Sequence, residues 1–400
     1  MDIAAASTQD IRRDNRRRVL ELLRELEPVA RNEIARIAGL TEPAISRITR
    51  ELVDARLVEE GTTGGGGTRP GRPVVALRLS DGGAYVAGIN ISADNQWACI
   101  ANMRGRILAK RSLALPEASE PRGVIAIAAQ EIERLISATG IERTRLLGTG
   151  VTVAGTVDPE SGDLQESPNL GWPRVPLARW LQADLGPHVR IEGRSMALLR
   201  AETRIGAARG MRNTALIMPA LGIGGAVMVD GRLLRGRTNR AGQIGHLRLG
   251  GNDLRCTCGK LGCLDTVASG RAIIERLGLV PREELGPTLQ ATQARLLGEA
   301  VARAAAGDAE ASNVMRSAGQ QLGVALRAVA AVADPEAIFL AGEVGHAESY
   351  LTGVRDGFGA DTGIGVAPST IPNELAAIWL ALEAFVYSRD LDLGRLREAA

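Results

Sequence analysis

Two stretches of this 400-residue chain, LLGTGVTVAGTVD (146–158) and TALIMPALGIGGAVMVDGRLLRG (214–236), share one plan. Each has an apolar, β-prone run, a glycine turn and a second such run, the pattern of buried strands joined tightly. Ahead of the first lies GAYVAGINISADNQWACIANMRGRILAKRSLAL (83–115), apolar and polar residues alternating between turn residues, and then a helical pattern from Pro121 to Thr139. These features predict an antiparallel sheet followed by a helix, and a chain built from two duplicated α/β units. Helical patterns dominate after Gly270, notably over 290–306 and 311–332, and PNELAAIWLALEAFVY closes the chain with an apolar helix. A hydrophobic content of 45% is enough for large cores, while an aromatic content of 2% leaves those cores to Ala, Val, Leu and Ile. So few aromatics also argue against stacking platforms for single-stranded nucleic acid.

The N-terminal eighty residues read differently. Val19, Leu20, Leu22, Leu23 and Leu26 fall at helical spacing, with Arg12, Arg13, Arg16, Arg17 and Arg18 on the remaining surface. A short helix from about Asn32 to Ala38 follows, stopped by Gly39, and then a second helix capped by Thr41. In that second helix Ile45, Ile48, Leu52 and Val53 form the buried stripe, which leaves Pro43, Ser46, Arg47 and Arg50 on the opposite face. Such a face suits the major groove of DNA. Behind it, EEGTTGGGGTRPGRPVVALRL reads as a wing hairpin, two β-prone arms around a glycine-rich tip, whose RPGRP core carries Arg69 and Arg72 on a proline-stiffened backbone, a shape fitted to a narrow minor groove. The net charge of +2 is too small to mark the whole chain for a polyanion, so the nucleic-acid signal is local. By this pattern the segment resembles winged helix-turn-helix repressors.

Three of the four cysteines crowd into CTCGKLGC (256–263). No apolar run of about 18 residues appears, and the start lacks the basic-then-apolar order of a secretory signal, so the expected compartment is the cytoplasm, with no membrane partner. There, clustered cysteines point to metal or redox chemistry rather than a disulfide framework. Cys99 stands apart as a small core residue.

In this order, GVTVAGTVDPESGDLQESPNLGW, GIGGAVMVDGRLLRG, AGQIGH and CTCGKLGCLD resemble the family of repressors and sugar kinases abbreviated ROK. That resemblance implies an actin-like body of two α/β lobes around a sugar cleft. The expected organisation is a winged helix-turn-helix domain at 1–80, a first lobe at 81–190 completed by a C-terminal helix at 372–400, and a second lobe at 191–371 carrying a zinc-binding loop. It also implies one zinc ion held by His246, Cys256, Cys258 and Cys263, a Cys3His set suited to a closed structural site. A histidine fixed by metal keeps its second ring nitrogen for a ligand hydroxyl.

The family's catalytic machinery is altered. The kinases' asparagine and aspartate general base correspond here to Gly193 and Arg194, flanked by Glu192 and Glu202, and an arginine cannot take a proton at neutral pH. The first phosphate loop reads NISAD (90–94), without its glycines, while LGIGGA (221–226) is retained and is equally a phosphate contact or a structural turn. Gln243 and Asp265 replace two family glutamates, and Gly155 and Asn169 match positions near the family's sugar or serve as turn residues. With Arg194 present, a sugar phosphate or sugar acid becomes an expected ligand. The resemblance therefore implies a non-enzymatic, DNA-binding regulator, a repressor, whose effector of the carbohydrate type contacts Gly155, Asn169, Arg194, Gln243, His246 and Asp265. It would act as a homodimer or tetramer on a pseudo-palindromic operator. The alternatives are a regulator controlled by a partner protein and an ATP-dependent sugar kinase with a regulatory appendage.

Overall fold

The computed structural model describes residues 7–62, 75–115, 120–248, 251–287 and 291–398. Arg69 and Arg72 of the expected wing hairpin lie outside them.

The chain opens with α1 (Thr8–Leu26), β1 (Val29–Ala30), α2 (Arg31–Ala38), α3 (Glu42–Asp54), β2 (Val58–Thr62) and β3 (Val75–Leu79). A capping box starts α1: the Ser7 hydroxyl accepts from the Asp10 amide at 3.1 Å, and the Asp10 carboxylate accepts from the Ser7 amide at 3.2 Å. Gly39, at φ 64°, ends α2 in the left-handed conformation that a side chain disfavours. Thr41 occupies the cap position of α3, but its hydroxyl makes no capping bond; Pro43 in the first turn fixes the backbone instead. The buried stripe of α3 is Ile45, Ile48, Thr49 and Leu52, and Val53, expected inside, is half-buried. β2 and β3 pair antiparallel, with β1 on the other side of β3.

The body begins with β4 (Tyr85–Ile91), β5 (Gln96–Asn102), β6 (Ile107–Ser112), α4 (Pro121–Thr139), β7 (Leu146–Val153), β8 (Thr156–Val157), β9 (Leu164–Glu166), α5 (Leu177–Leu185) and β10 (Val189–Gly193). Then come α6 (Arg194–Ile205), β11 (Thr214–Pro219), β12 (Ile223–Val229), β13 (Arg232–Leu233), α7 (Asp265–Ala268), α8 (Gly270–Arg276), α9 (Ala291–Ala305), α10 (Ala309–Ala333), β14 (Ala337–Leu340), α11 (Gly342–His346), α12 (Glu348–Phe358), β15 (Gly365–Pro368), α13 (Asn373–Ala381) and α14 (Leu393–Glu398). One five-stranded sheet runs β10-β7-β4-β5-β6 and the other β13-β12-β11-β14-β15. In each, the first three strands form an antiparallel meander and the last two add in parallel beside the first. The two halves thus have the same topology, but the two stretches read as one plan are not equivalent: LLGTGVTV is β7, added in parallel beside β4, whereas TALIMP is β11, the first strand of the second meander.

Two expected limits move. The 190/191 boundary falls inside β10, which pairs with β7 from Val189↔Thr149 to Gly193↔Val153, so the first sheet extends to Gly193. The expected C-terminal helix at 372–400 is two helices: α13 widens into a π turn at Leu382–Val386, and Asp392 starts α14 afresh by accepting from the amides of Gly394 (2.9 Å) and Arg395 (3.2 Å).

α13 lies across β7, and the glycines of LLGTG explain why it can. A Cβ on Gly150 would sit 2.0 Å from the Ala377 carbonyl oxygen, and one on Gly148 would sit 2.3 Å from the Phe385 ring. Helix and sheet therefore meet backbone to backbone. The N-terminal unit is seated on the same region. The guanidinium of Arg24 lies 5.0 Å from the centre of the Trp379 ring and 5.9 Å from that of Tyr387. Buried Arg145 donates to the carbonyls of Gly83 (2.7 Å) and Ala55 (3.3 Å), joining the end of α3 to the first sheet. Two arginines of α1 also reach neighbouring elements, half-buried Arg16 donating to the Leu391 carbonyl at 2.7 Å and exposed Arg12 pairing with Glu51. One apolar cluster consequently runs from Val19 and Leu23 of α1 through Leu198 of α6 to Ala377 and Leu396.

Replacing Gly150 with Val should force α13 off β7 and lower stability by about 1–3 kcal/mol or more, as overpacking does. A fall of several degrees in the thermal midpoint is expected; an unchanged midpoint would contradict this close packing.

Candidate functional site

The parallel strands β4, β7 and β10 end on the same side, and open α/β sheets present ligands at that carboxyl edge. There, between the two halves, lies a cleft with an empty volume of about 960 Å³, counted out to its open mouth. Gly155, Asn169, Arg194, Gln243 and His246, expected around a ligand, all line it. Asp265 does not. It lies beneath β12, where its Oδ1 accepts from the Ile223 amide at 2.6 Å, and burial raises its pKa to about 7 despite that bond and the nearby Arg271.

Arg194 opens α6 and is 6% exposed. Its Nη1 donates to Asp94 Oδ1 at 2.6 Å, a partnership across 100 residues between the β4–β5 turn and the first turn of α6. Burial opposes the Asp94 carboxylate, but the charge and hydrogen bond of Arg194 outweigh it and hold the Asp94 pKa below its ordinary value. The remaining cleft acid, Glu192, is matched in the same way. Its carboxylate pairs with Arg235 and accepts from the Gly193 amide at 3.1 Å. Glu202 is fully buried and faces away, accepting from Ser369 Oγ (2.5 Å), Thr370 Oγ1 (2.9 Å) and the Ala207 amide (2.7 Å).

The NISAD turn is closed on itself. Asn90 Nδ2 donates to Ser92 Oγ (3.0 Å) and to the Asn95 carbonyl (2.8 Å), and Thr152 Oγ1 donates to Asn90 Oδ1 (3.0 Å). The second glycine run is the β11–β12 hairpin turn and the start of β12. A Cβ on Gly222 would meet Asn169 Nδ2 at 2.4 Å, and one on Gly224 would meet Ser195 Oγ at 2.4 Å. These glycines let neighbouring polar side chains reach the cleft. Arg271, which the sequence did not single out, is buried and donates to Asn169 Oδ1 at 2.6 Å. Asn169 is thereby turned so that its Nδ2 faces Gly222. Gln243 Nε2 donates to Thr156 Oγ1 at 3.1 Å, which leaves its Oε1 as an acceptor.

His246 and the cysteine loop converge beside the cleft. One ligand atom from each of His246, Cys256, Cys258 and Cys263 falls within 4.8 Å of every other. Cys258 and Cys263 Sγ are 3.7 Å apart, far from the ~2.05 Å of a disulfide. Cys256 Sγ and His246 Nδ1 are also 3.7 Å apart. Tetrahedral bonds of about 2.3 Å place ligand atoms roughly 3.8 Å from one another, so the donor set fits one tetrahedral zinc ion. Burial pushes the Cys256 thiol up to about 12, and a thiolate there needs a cation beside it. Cys99, by contrast, is an isolated buried thiol in β5, likewise raised to about 12 by burial.

In the N-terminal unit Pro43, Arg47 and Arg50 are exposed along one face of α3, with Ser46 half-buried between them. Among the described residues neither arginine has an ion pair.

Residues 86–359 match the model of the ROK family. The N-acetylglucosamine repressor of Escherichia coli O157:H7 is 25% identical over 340 residues, 83% of this chain and 81% of that protein. A crystal structure of a ROK family transcriptional regulator, described as a homologue of the E. coli Mlc protein, superposes with a TM-score of 0.76 at 26% identity, covering 97% of this chain and all of that one. A ROK family glucokinase from Streptomyces griseus, in complex with glucose and AMPPNP, gives 0.63 at 25% identity over 75% of this chain and 99% of its own.

The Asp94–Arg194 pair sets a pH dependence. Because the folded pKa of Asp94 is depressed, its stabilisation is fully present above the unfolded value of about 3.9 and is lost as pH falls through the folded value. The stability gap between wild type and Asp94→Asn should therefore be constant from about pH 5 to 8 and close below about pH 4. Urea unfolding at each pH measures it, and a gap that persists under acid would contradict the pairing.

Proposed function

The chain belongs to the ROK family, and from that premise we propose that it is a sequence-specific DNA-binding transcriptional repressor whose body senses a carbohydrate-type effector without phosphorylating it. The observation that carries this reading is the exposed face of α3, where Pro43, Arg47 and Arg50 stand clear on a helix that follows a tight turn and precedes a strand pair. The N-terminal unit acts as a winged helix-turn-helix domain. Arg47 and Arg50 enter the major groove beside Ser46, and Arg69 and Arg72 of the wing follow the minor groove. A homodimer or tetramer pairs two such helices on a pseudo-palindromic operator.

The absence of a proton acceptor at Arg194 and the self-closed NISAD turn support sensing over catalysis. Gly155, Asn169, Arg194, Gln243 and His246 would contact the effector, with Asp265 acting from behind through Ile223. His246, Cys256, Cys258 and Cys263 would hold a structural zinc ion that fixes the His246 ring and leaves Nε2 toward the cleft. Effector binding that shifts one half of the body against the other reaches α1 through α6, α13 and the Arg24–Trp379–Tyr387 stack. Among the described residues no helix is long and apolar enough to cross a membrane.

Operator sequences selected from a random duplex library should bind the wild type and lose about 1–3 kcal/mol of affinity on Arg47→Ala at fixed salt. Unaltered binding would remove α3 from the groove. Release of that DNA by a sugar without ATP would support sensing, and sugar-dependent ADP formation would restore the kinase. Metal analysis of protein purified without chelator should give close to one zinc per chain and much less for Cys258→Ser. Less than about half an equivalent in the wild type would count against the site.

A further inference from the structure

The charges in the cleft decide which kind of ligand it accepts. Among the described residues its charged lining consists of Asp94, Glu192 and Arg194, with His246 at one side. Arg194 sits at the start of a twelve-residue helix, where backbone N–H groups and a guanidinium together favour an anion. That anion is already present as part of the chain, the Asp94 carboxylate at 2.6 Å. Glu192 is likewise neutralised by Arg235. An incoming phosphate or carboxylate would therefore have to displace a bonded carboxylate and then sit near two acidic side chains. Arg194 still has donor capacity to spare: among the described residues its Nη2 makes no hydrogen bond, and its Nε is buried without a partner.

We infer that Asp94 is a tethered counter-ion occupying the anion subsite of the cleft, so that the pocket selects an uncharged, hydroxyl-bearing ligand and rejects its phosphorylated or acidic derivatives. Arg194 then serves as a neutralised donor, its Nη2 left for a ligand oxygen alongside Asn169 Nδ2. This reverses the preference expected from an arginine at this position read alone. It rests on the cleft being the effector site proposed above, but the charge argument is testable without knowing the effector.

Inorganic phosphate is the direct probe, with glucose, xylose and glucose 6-phosphate as companions, each titrated against the thermal midpoint at constant ionic strength. Wild type should be blind to phosphate and to glucose 6-phosphate. Asp94→Asn should acquire phosphate binding at least about tenfold tighter than wild type. Asp94→Glu, which keeps the anion, should not, and Asp94→Asn combined with Arg194→Gln should lose the gain. If Asp94→Asn folds only in the presence of phosphate, that rescue supports the inference in the same way, and Asp94→Ser serves as a second neutral variant. Phosphate or glucose 6-phosphate binding to wild type as tightly as to the neutral variants would overturn it, as would neutral variants that gain nothing. The two readings separate cleanly: a phosphate gain in the variants with no neutral-sugar response in wild type keeps the counter-ion and removes the sugar effector.

Discussion

The close seating of α13 on β7 is the constraint on which the rest of the molecule depends. Two glycines on one strand bring a helix so near that the Ala377 carbonyl occupies the space of a missing Cβ. From that position α13 packs on the first sheet, on α6 and, through Trp379, on Arg24 of α1. Both halves of the body and the N-terminal unit thus share one apolar cluster. Interiors packed at crystal-like density do not deform smoothly, so movement of α6 is passed to its neighbours as displacement rather than absorbed.

In the cleft, two residues that depart from the kinase pattern meet each other. An arginine at the base position would be costly if buried alone, because desolvation is not repaid without a partner. Asp94 supplies that partner from a turn whose other polar groups bond one another. Together Arg194 and Asp94 form one ion pair, joined by a single hydrogen bond. The glycines of the hairpin make room for Asn169 and Ser195.

Local signals carried much of this fold. The helix over Pro121–Thr139, the strands of both meanders and the stop at Gly39 follow from periodicity and turn chemistry, which act over a few residues. Two α/β units were visible in the sequence, but the stretches that read as a repeat, around β7 and around β11, hold different places in the two sheets. Less legible were features set by distant neighbours. Val53 is half-buried although it falls on the apolar face of its helix, and Asp265 supports β12 from behind instead of lining the cleft. The π turn that splits the C-terminal helix has no strong sequence mark, since a wider turn needs no glycine or proline.

By itself, then, the sequence determined two α/β units, an arginine-faced helix behind a tight turn and a loop of three clustered cysteines, because residue type and short spacing suffice for each; His246 joined the cysteines through the family resemblance. Only the tertiary structure decided that Arg194 is neutralised by Asp94, that Arg271 orients Asn169 and that Arg145 fastens α3 to the body. Those partners stand 100, 102 and 90 residues apart. No periodicity links such positions, and the charge a ligand meets in the cleft depends on which of them the fold brings within hydrogen-bonding distance.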